Sequence, residues 1–257
     1  MNATEFDIYL DRLRKSLQSY AQVIGLVTLG STVDATLRDE WSDHDFWVIT
    51  TPGSQDSLLN DPGWLPDADQ IAIRVCHGPH RRTLVYTNGH KVEFAVFDAS
   101  EATEGKVQRY AVLIDRDKIT ELISSVHQDT LRDARQALGK PDGLENLCVL
   151  VWSACERHQR GEFLSARQYI DGFAVNQLLS LLVAHDVGTL HEYRDELDPR
   201  RHLERGSPKL AAELLWTAGE PVPQAAIRLL DIAWRELRVK APTLNWEAVT
   251  LAKKWIL

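Results

Sequence analysis

No window of this 257-residue sequence approaches the roughly 18 apolar residues that a membrane-spanning helix needs, so no membrane span is expected. Cysteine is scarce: Cys76, Cys148 and Cys155 occur without a CxxC pair or the Cys/His spacing of a zinc site. Cys148 and Cys155 lie seven apart in what reads as one helix, about 10 Å along its axis. That is beyond the ~4.4–6.8 Å Cα separation of a disulfide. Reduced, mostly buried thiols in a cytoplasmic protein are therefore expected. The opening, Met1 to Asp7, lacks a basic stretch followed by an apolar core, so no secretory leader is expected. Basic charge is also in deficit, with 29 Lys and Arg against 37 Asp and Glu, a net charge of −8. Without a Lys/Arg block to neutralise phosphates, nucleic acid is not an expected partner. A cationic small molecule or a metal–phosphate complex suits the balance better. His185, His191 and His202 show no tight metal spacing, and there is no internal repeat or low-complexity tract.

What is present is ordinary globular composition, 44% hydrophobic and 26% charged. A chain this long buries about 70–75% of its unfolded surface without a disulfide or metal staple, and its length suggests two domains. Phe6, Tyr9, Leu10, Leu13, Leu17 and Tyr20 recur at helical spacing, which predicts a helix over residues 4–20. Strands are predicted at Val23–Leu29, Phe46–Thr51, Ile71–Cys76, Thr83–Thr87 and Lys91–Phe97, the last two joined through Asn88-Gly89-His90. From about Ser124 strand-like alternation stops. Helices are predicted over Gly143–Arg160, Glu162–His185, Pro208–Ala218, Pro223–Lys240 and Trp246–Leu257, with stops at Gly139-Lys140-Pro141, Gly161 and Gly188. The expected fold class is α+β: a small mixed sheet with flanking helices in residues 1–125, then an all-α domain in 126–257.

The informative segment runs from Leu29-Gly30-Ser31 to Asp43-His44-Asp45. A Gly-Ser pair directly after a buried strand, where a helix is expected to start, offers backbone N–H groups and a hydroxyl to an anion. Gly30 lets the backbone come close to a phosphate because it has no Cβ. Asp43 and Asp45, two apart at the mouth of a strand, project on one face about 6.5–7 Å apart at Cα. Such a pair can share one hard divalent cation, which points to Mg2+. Residues 31–50 hold the acids Asp34, Asp39, Glu40, Asp43 and Asp45 against one base, Arg38, so a bound cation would relieve repulsion. Glu93, inside an apolar strand, is expensive to bury without a partner. It is either exposed at an edge or aimed at the same pocket. In the second case the three acids opposite Gly30 and Ser31 make a metal-assisted phosphoryl or nucleotidyl transfer site.

At these residues the sequence resembles the nucleotidyltransferase superfamily, whose pattern is a strand, Gly-Ser, about a dozen residues, acid-x-acid, and a third acid on a later strand. Gly30, Ser31, Asp43, Asp45 and Glu93 fill those positions. More narrowly, the chain resembles the antibiotic nucleotidyltransferases that modify aminoglycosides or lincosamides. Those enzymes also join a catalytic domain to a helical, substrate-binding one. The resemblance implies an adenylyltransferase using ATP and Mg2+ to transfer AMP to a small-molecule hydroxyl, with a homodimer as a compatible assembly. It implies Asp43, Asp45 and Glu93 as metal and catalytic residues, Glu93 as base or second-metal ligand, and Gly30 and Ser31 as the phosphate cradle. Arg167 is the triphosphate candidate by analogy, although it also sits four residues before Asp171, the spacing of an intrahelical pair. Two rivals stand beside this: a nucleotidyltransferase acting on a partner protein, and an inactive nucleotide-binding module. Arg200 and Arg201 lie in a charged loop of unassigned role. Trp41 and Trp47 flank the expected site, and Trp216, Trp234, Trp246 and Trp255 are expected in the helical core.

Overall fold

Six strands pair into one mixed sheet, in a computed structural model that describes residues 3–33, 38–138, 142–188, 190, 195 and 198–257. Asp34, the Gly139-Lys140-Pro141 stop and His191 lie outside the described residues. The chain divides into two units, Met1–Arg132 and Asp133–Leu257.

The first unit holds α1 (Ala3–Gln18), β1 (Val23–Leu29), β2 (His44–Thr50), α2 (Gln55–Asn60), β3 (Ile71–His77), β4 (Arg81–Tyr86), β5 (Lys91–Asp98) and β6 (Tyr110–Asp115). It also holds the start of α3 (Ile119–Leu138). The strand order is β3-β4-β5-β2-β1-β6. The pair β2–β5 is parallel, and the other neighbours are antiparallel. Parallel neighbours need a long crossover, and here the chain leaves β2, passes through α2, β3 and β4, and returns as β5. The β4–β5 turn uses Gly89 at φ +83°.

Alternation along β2 sorts its side chains onto two faces. Phe46 and Val48 join Leu13 and Leu17 of α1 in one cluster with Trp64, Phe94 and Val96. Trp47 and Ile49 join Val27, Ala95, Ile119, Ile123 and Val126 in another, on the α3 side. Asp45 therefore stands on the α3 face. Trp47, expected to flank the site, is part of that core and only 8% exposed. Gly105 packs against it so closely that a Cβ would lie 2.2 Å from the indole.

The α+β class is as expected. Strand β1 has the bounds read from the sequence, whereas β6 was not anticipated. Most of β6 is half-buried at the sheet edge, so its residues lack a clean buried/exposed alternation. Cys76 lies on β3 and is the exposed exception to the expectation of mostly buried thiols, since Cys148 and Cys155 are buried.

The second unit holds α4 (Gly143–Gln159), α5 (Phe163–Arg167), a π-helical stretch (Gln168–Ala174), α6 (Val175–Ala184), α7 (Leu203–Gly206), α8 (Pro208–Ala218), α9 (Val222–Leu237) and α10 (Trp246–Ile256). The single helix expected over Glu162–His185 is thus helical but widens midway. Leu147 and Val151 of α4, Leu178 and Leu182 of α6, Leu229 and Ala233 of α9 and Val249 of α10 share one core. Cys148 and Cys155 are buried in it, and burial pushes their thiols up to about 12 and about 11. Of the four tryptophans expected there, only Trp246 is buried; Trp216, Trp234 and Trp255 are exposed. Their size satisfied a helical period without showing which face they took. Among the described residues no helix is long and apolar enough to cross a membrane.

Candidate active site

Strand β1 ends at Leu29, and the chain turns through a single 3-10 turn, Gly30–Thr32. Gly30 sits at φ +55°, a left-handed conformation that glycine enters without Cβ strain. A Cβ added there would meet Asp45 Oδ2 at 4.0 Å, so the bend opens onto that carboxylate. The Gly30 N–H donates to the Arg109 carbonyl at 3.2 Å. The Gly30 amide is thus engaged, and what this glycine leaves open is the space beside Asp45.

Thr32, not singled out from the sequence, is buried, and its Oγ1 donates to the Asp43 carbonyl (3.3 Å) and accepts from the Asp45 N–H (3.0 Å). One hydroxyl so joins the turn to both sides of the Asp-x-Asp. Arg38 donates to the carbonyls of Ser31 (3.2 Å) and Thr32 (2.7 Å) and to Asp7 (2.7 Å), with its guanidinium 4.7 Å over the Phe6 ring.

The parallel register sets Asp45 beside Glu93, and the antiparallel register sets Glu93 beside Thr83. Neighbouring strands lie about 4.8 Å apart, so Asp45 and Glu93 project side by side on one face. Thr83 Oγ1 donates to Glu93 at 3.5 Å. Lys91 places its ammonium 2.7 Å from Asp43 Oδ2 and 3.0 Å from Glu93 Oε1. The structure therefore brings Asp43, Asp45 and Glu93 to the same end of β2 and β5, with Gly30 beside Asp45.

Burial first, then the charges of Asp43 and Glu93, push the Asp45 carboxyl up to about 7 against the opposing pull of Arg81 and Lys91. In kind, the donors fit a hard divalent cation: all are carboxylate oxygens, and a third negative charge there is costly without a counter-charge. Their arrangement is not a finished cage. Among the described residues no group of three or more His, Cys, Asp or Glu side chains is gathered to hold a metal ion, and Lys91 stands between Asp43 and Glu93.

His44, between the two aspartates, points to the opposite face. Its Nε2 meets the Phe6 carbonyl at 3.1 Å and its Nδ1 meets His90 Nε2 at 2.8 Å, with the ring stacked on Phe6. A carbonyl only accepts, so His44 carries its proton on Nε2, and its Nδ1 accepts from the His90 Nε2–H. Burial pushes His44 down to about 3 and His90 down to about 4, so the pair is neutral and ties β2 to α1. Trp41 is 85% exposed and lines a cavity of about 570 Å³ with Arg12, Ser42, Asn88 and Lys91.

Arg167 and Arg200 are both engaged within the second unit. Arg167 pairs with Asp171 and donates to the carbonyls of Glu220 (2.8 Å) and Ala218 (2.7 Å). This is the intrahelical pair that its spacing allowed. Arg200 donates to Asn176 Oδ1 (2.7 Å) and to the carbonyls of Asp171 and Gly172 inside the π-helical stretch. Arg201 pairs with Asp195 at 3.2 Å.

No protein-family model matches the chain, and no curated protein matches its sequence. Solved structures do align with it. An aminoglycoside 6-adenyltransferase from Bacillus subtilis is 12% identical over 96% of this chain and 95% of its own, at a TM-score of 0.39. A nucleotidyltransferase-like protein from Exiguobacterium sibiricum 255-15 is 13% identical over 93% of this chain and 78% of its own, at 0.38. A chain of the CdnC:HORMA-deltaN complex of E. coli MS115-1 is 13% identical over 100% of this chain and 92% of its own, at 0.32. Superposition at this level carries no inference about activity, which rests on the residues of the site.

Proposed function

We propose that the chain is a Mg2+-dependent nucleotidyltransferase that moves AMP from ATP to a hydroxyl of a small molecule, an aminoglycoside or lincosamide antibiotic being the first class to test. One observation carries this: Asp45 and Glu93 stand in register on neighbouring strands, with Asp43 two residues before Asp45 and the Gly30 bend opening onto Asp45. In this reading residues 1–125 form the catalytic domain and 126–257 the acceptor-selecting one.

Asp43 and Asp45 would hold the cation, with Glu93 completing the set or acting as base. The cation, when bound, neutralises charge on the triphosphate. The Ser31 hydroxyl and the space over Gly30 receive the phosphates. Glu93 accepts the proton of the acceptor hydroxyl, whose oxygen attacks the α-phosphorus in line while pyrophosphate leaves. Most of the acceleration then comes from positioning and charge neutralisation. Arg167 would have to exchange its bonds to Asp171, Ala218 and Glu220 to reach a phosphate, so the phosphate role is assigned to Gly30 and Ser31.

The test is pyrophosphate release with ATP and Mg2+ against a panel of aminoglycosides, lincosamides and other hydroxylated compounds, with mass spectrometry for AMP on the acceptor. Release that depends on an acceptor and disappears in Asp45→Asn is the expected result. No release with any acceptor would sink the assignment, and an AMP adduct on a co-purified protein would replace the small-molecule acceptor with a macromolecular one.

A further inference from the structure

Resting on the function proposed above, we propose that Lys91 is a built-in counter-ion that competes with the divalent cation for Asp43 and Glu93, so that metal entry requires its ammonium to swing away. The ammonium lies 2.7 Å and 3.0 Å from one oxygen of each carboxylate. A magnesium ion on those oxygens would sit about 2.0–2.1 Å from them. Two cations on the same pair of oxygens repel strongly at that range.

Lys91 is also placed to move. It opens β5 after the Asn88-Gly89-His90 turn, its side chain is 45% exposed, and it lines the cavity of about 570 Å³ together with Trp41, Ser42 and Glu40. Lysine is a point charge on a flexible four-carbon stem, so rotation of that stem carries the charge into the cavity without disturbing the strand. The metal-free site is thereby held together by an ammonium that satisfies the two outer carboxylates. Free metal binds weakly, and a triphosphate arriving with the metal supplies negative charge for the displaced ammonium. Binding of metal and of nucleotide is coupled through one side chain.

The experiment is titration of the full chain with Mn2+ alone, followed by calorimetry and by electron paramagnetic resonance of the free ion, on wild type, Lys91→Met and Lys91→Arg. Lys91→Met should bind Mn2+ tighter by on the order of tenfold, while Lys91→Arg, which keeps the charge, stays near wild type. Circular dichroism establishes that the variants are folded. Unchanged or weaker Mn2+ binding by Lys91→Met overturns the inference, whatever the turnover. A wild type that binds Mn2+ with a non-hydrolysable ATP analogue while Lys91→Met gains nothing removes the role of Lys91 and leaves the proposed function standing. Failure of both proteins to bind Mn2+, with or without the analogue, removes both.

Discussion

Replacing Asp45 by asparagine should make the protein more stable at neutral and alkaline pH and, under the function proposed above, abolish its metal-dependent activity. Burial and the neighbouring charges raise its carboxyl from 3.8 to about 7. The folded state therefore keeps a proton that the unfolded chain gives up. Below about pH 4 both states are protonated and the group contributes nothing. Between pH 4 and 7 stability falls as pH rises, by about 1.4 kcal/mol per pH unit, and above pH 7 the full cost of about 4 kcal/mol is present. Asparagine is nearly isosteric and carries no charge, so it removes that cost without opening a cavity. Urea denaturation of wild type and Asp45→Asn at pH 8, 6 and 4.5 measures the difference. We expect a gain of several kcal/mol at pH 8 that shrinks steadily towards pH 4.5. Added Mg2+ should stabilise wild type and not the variant. A variant no more stable than wild type at pH 8, or a difference independent of pH, would refute the electrostatic account of Asp45.

The neutral His44–His90 pair works in the opposite sense. Its depressed values give stability that is complete above pH 6.5 and lost as pH falls towards 4 and 3, about 3 kcal/mol for His90 alone. In an Asp45→Asn background, His90→Gln should flatten the acid limb of a denaturation series between pH 6.5 and 4.5; an unchanged slope there contradicts it. Glu93→Gln should lower acceptor-dependent pyrophosphate release by about 10²-fold or more, with ATP binding retained, and normal turnover would remove the base role. Gly105→Ala forces a methyl into the Trp47 ring and should cost about 1–3 kcal/mol of stability in thermal or urea melts. A wild-type melting curve would show that the contact relaxes freely.

The site was more legible than its supports. Gly30, Asp43, Asp45 and Glu93 could be singled out because each breaks a local expectation: a glycine after a buried strand, acids at a strand mouth, a carboxylate in an apolar run. Thr32 breaks none, since a threonine in a turn is ordinary, and only the fold shows that its hydroxyl meets backbone of both Asp43 and Asp45, on either side of His44. Lys91 reads as a solvated strand end until the β2–β5 register brings Asp43 within reach. Trp47 lies two residues past Asp45 on the same face, yet it is covered by Gly105, a contact 58 positions away in sequence that no local pattern carries. In the second unit a helical period located the helices but not the seven-residue widening at Gln168–Ala174. That stretch receives the Arg200 guanidinium on its carbonyls, a contact from a remote loop.

The Thr32 hydroxyl acts as a hasp on the connection between its turn and β2. It fastens two points eleven positions apart in sequence, and does so through main-chain atoms at the far end. The excursion between those points can lengthen without shifting the aspartates, since each doubling of a flexible connection costs only about 0.6 kcal/mol of closure entropy. Variation in that segment, which includes the exposed Trp41, is therefore a route to altering the surface beside Asp43 and Asp45 while those carboxylates keep their positions.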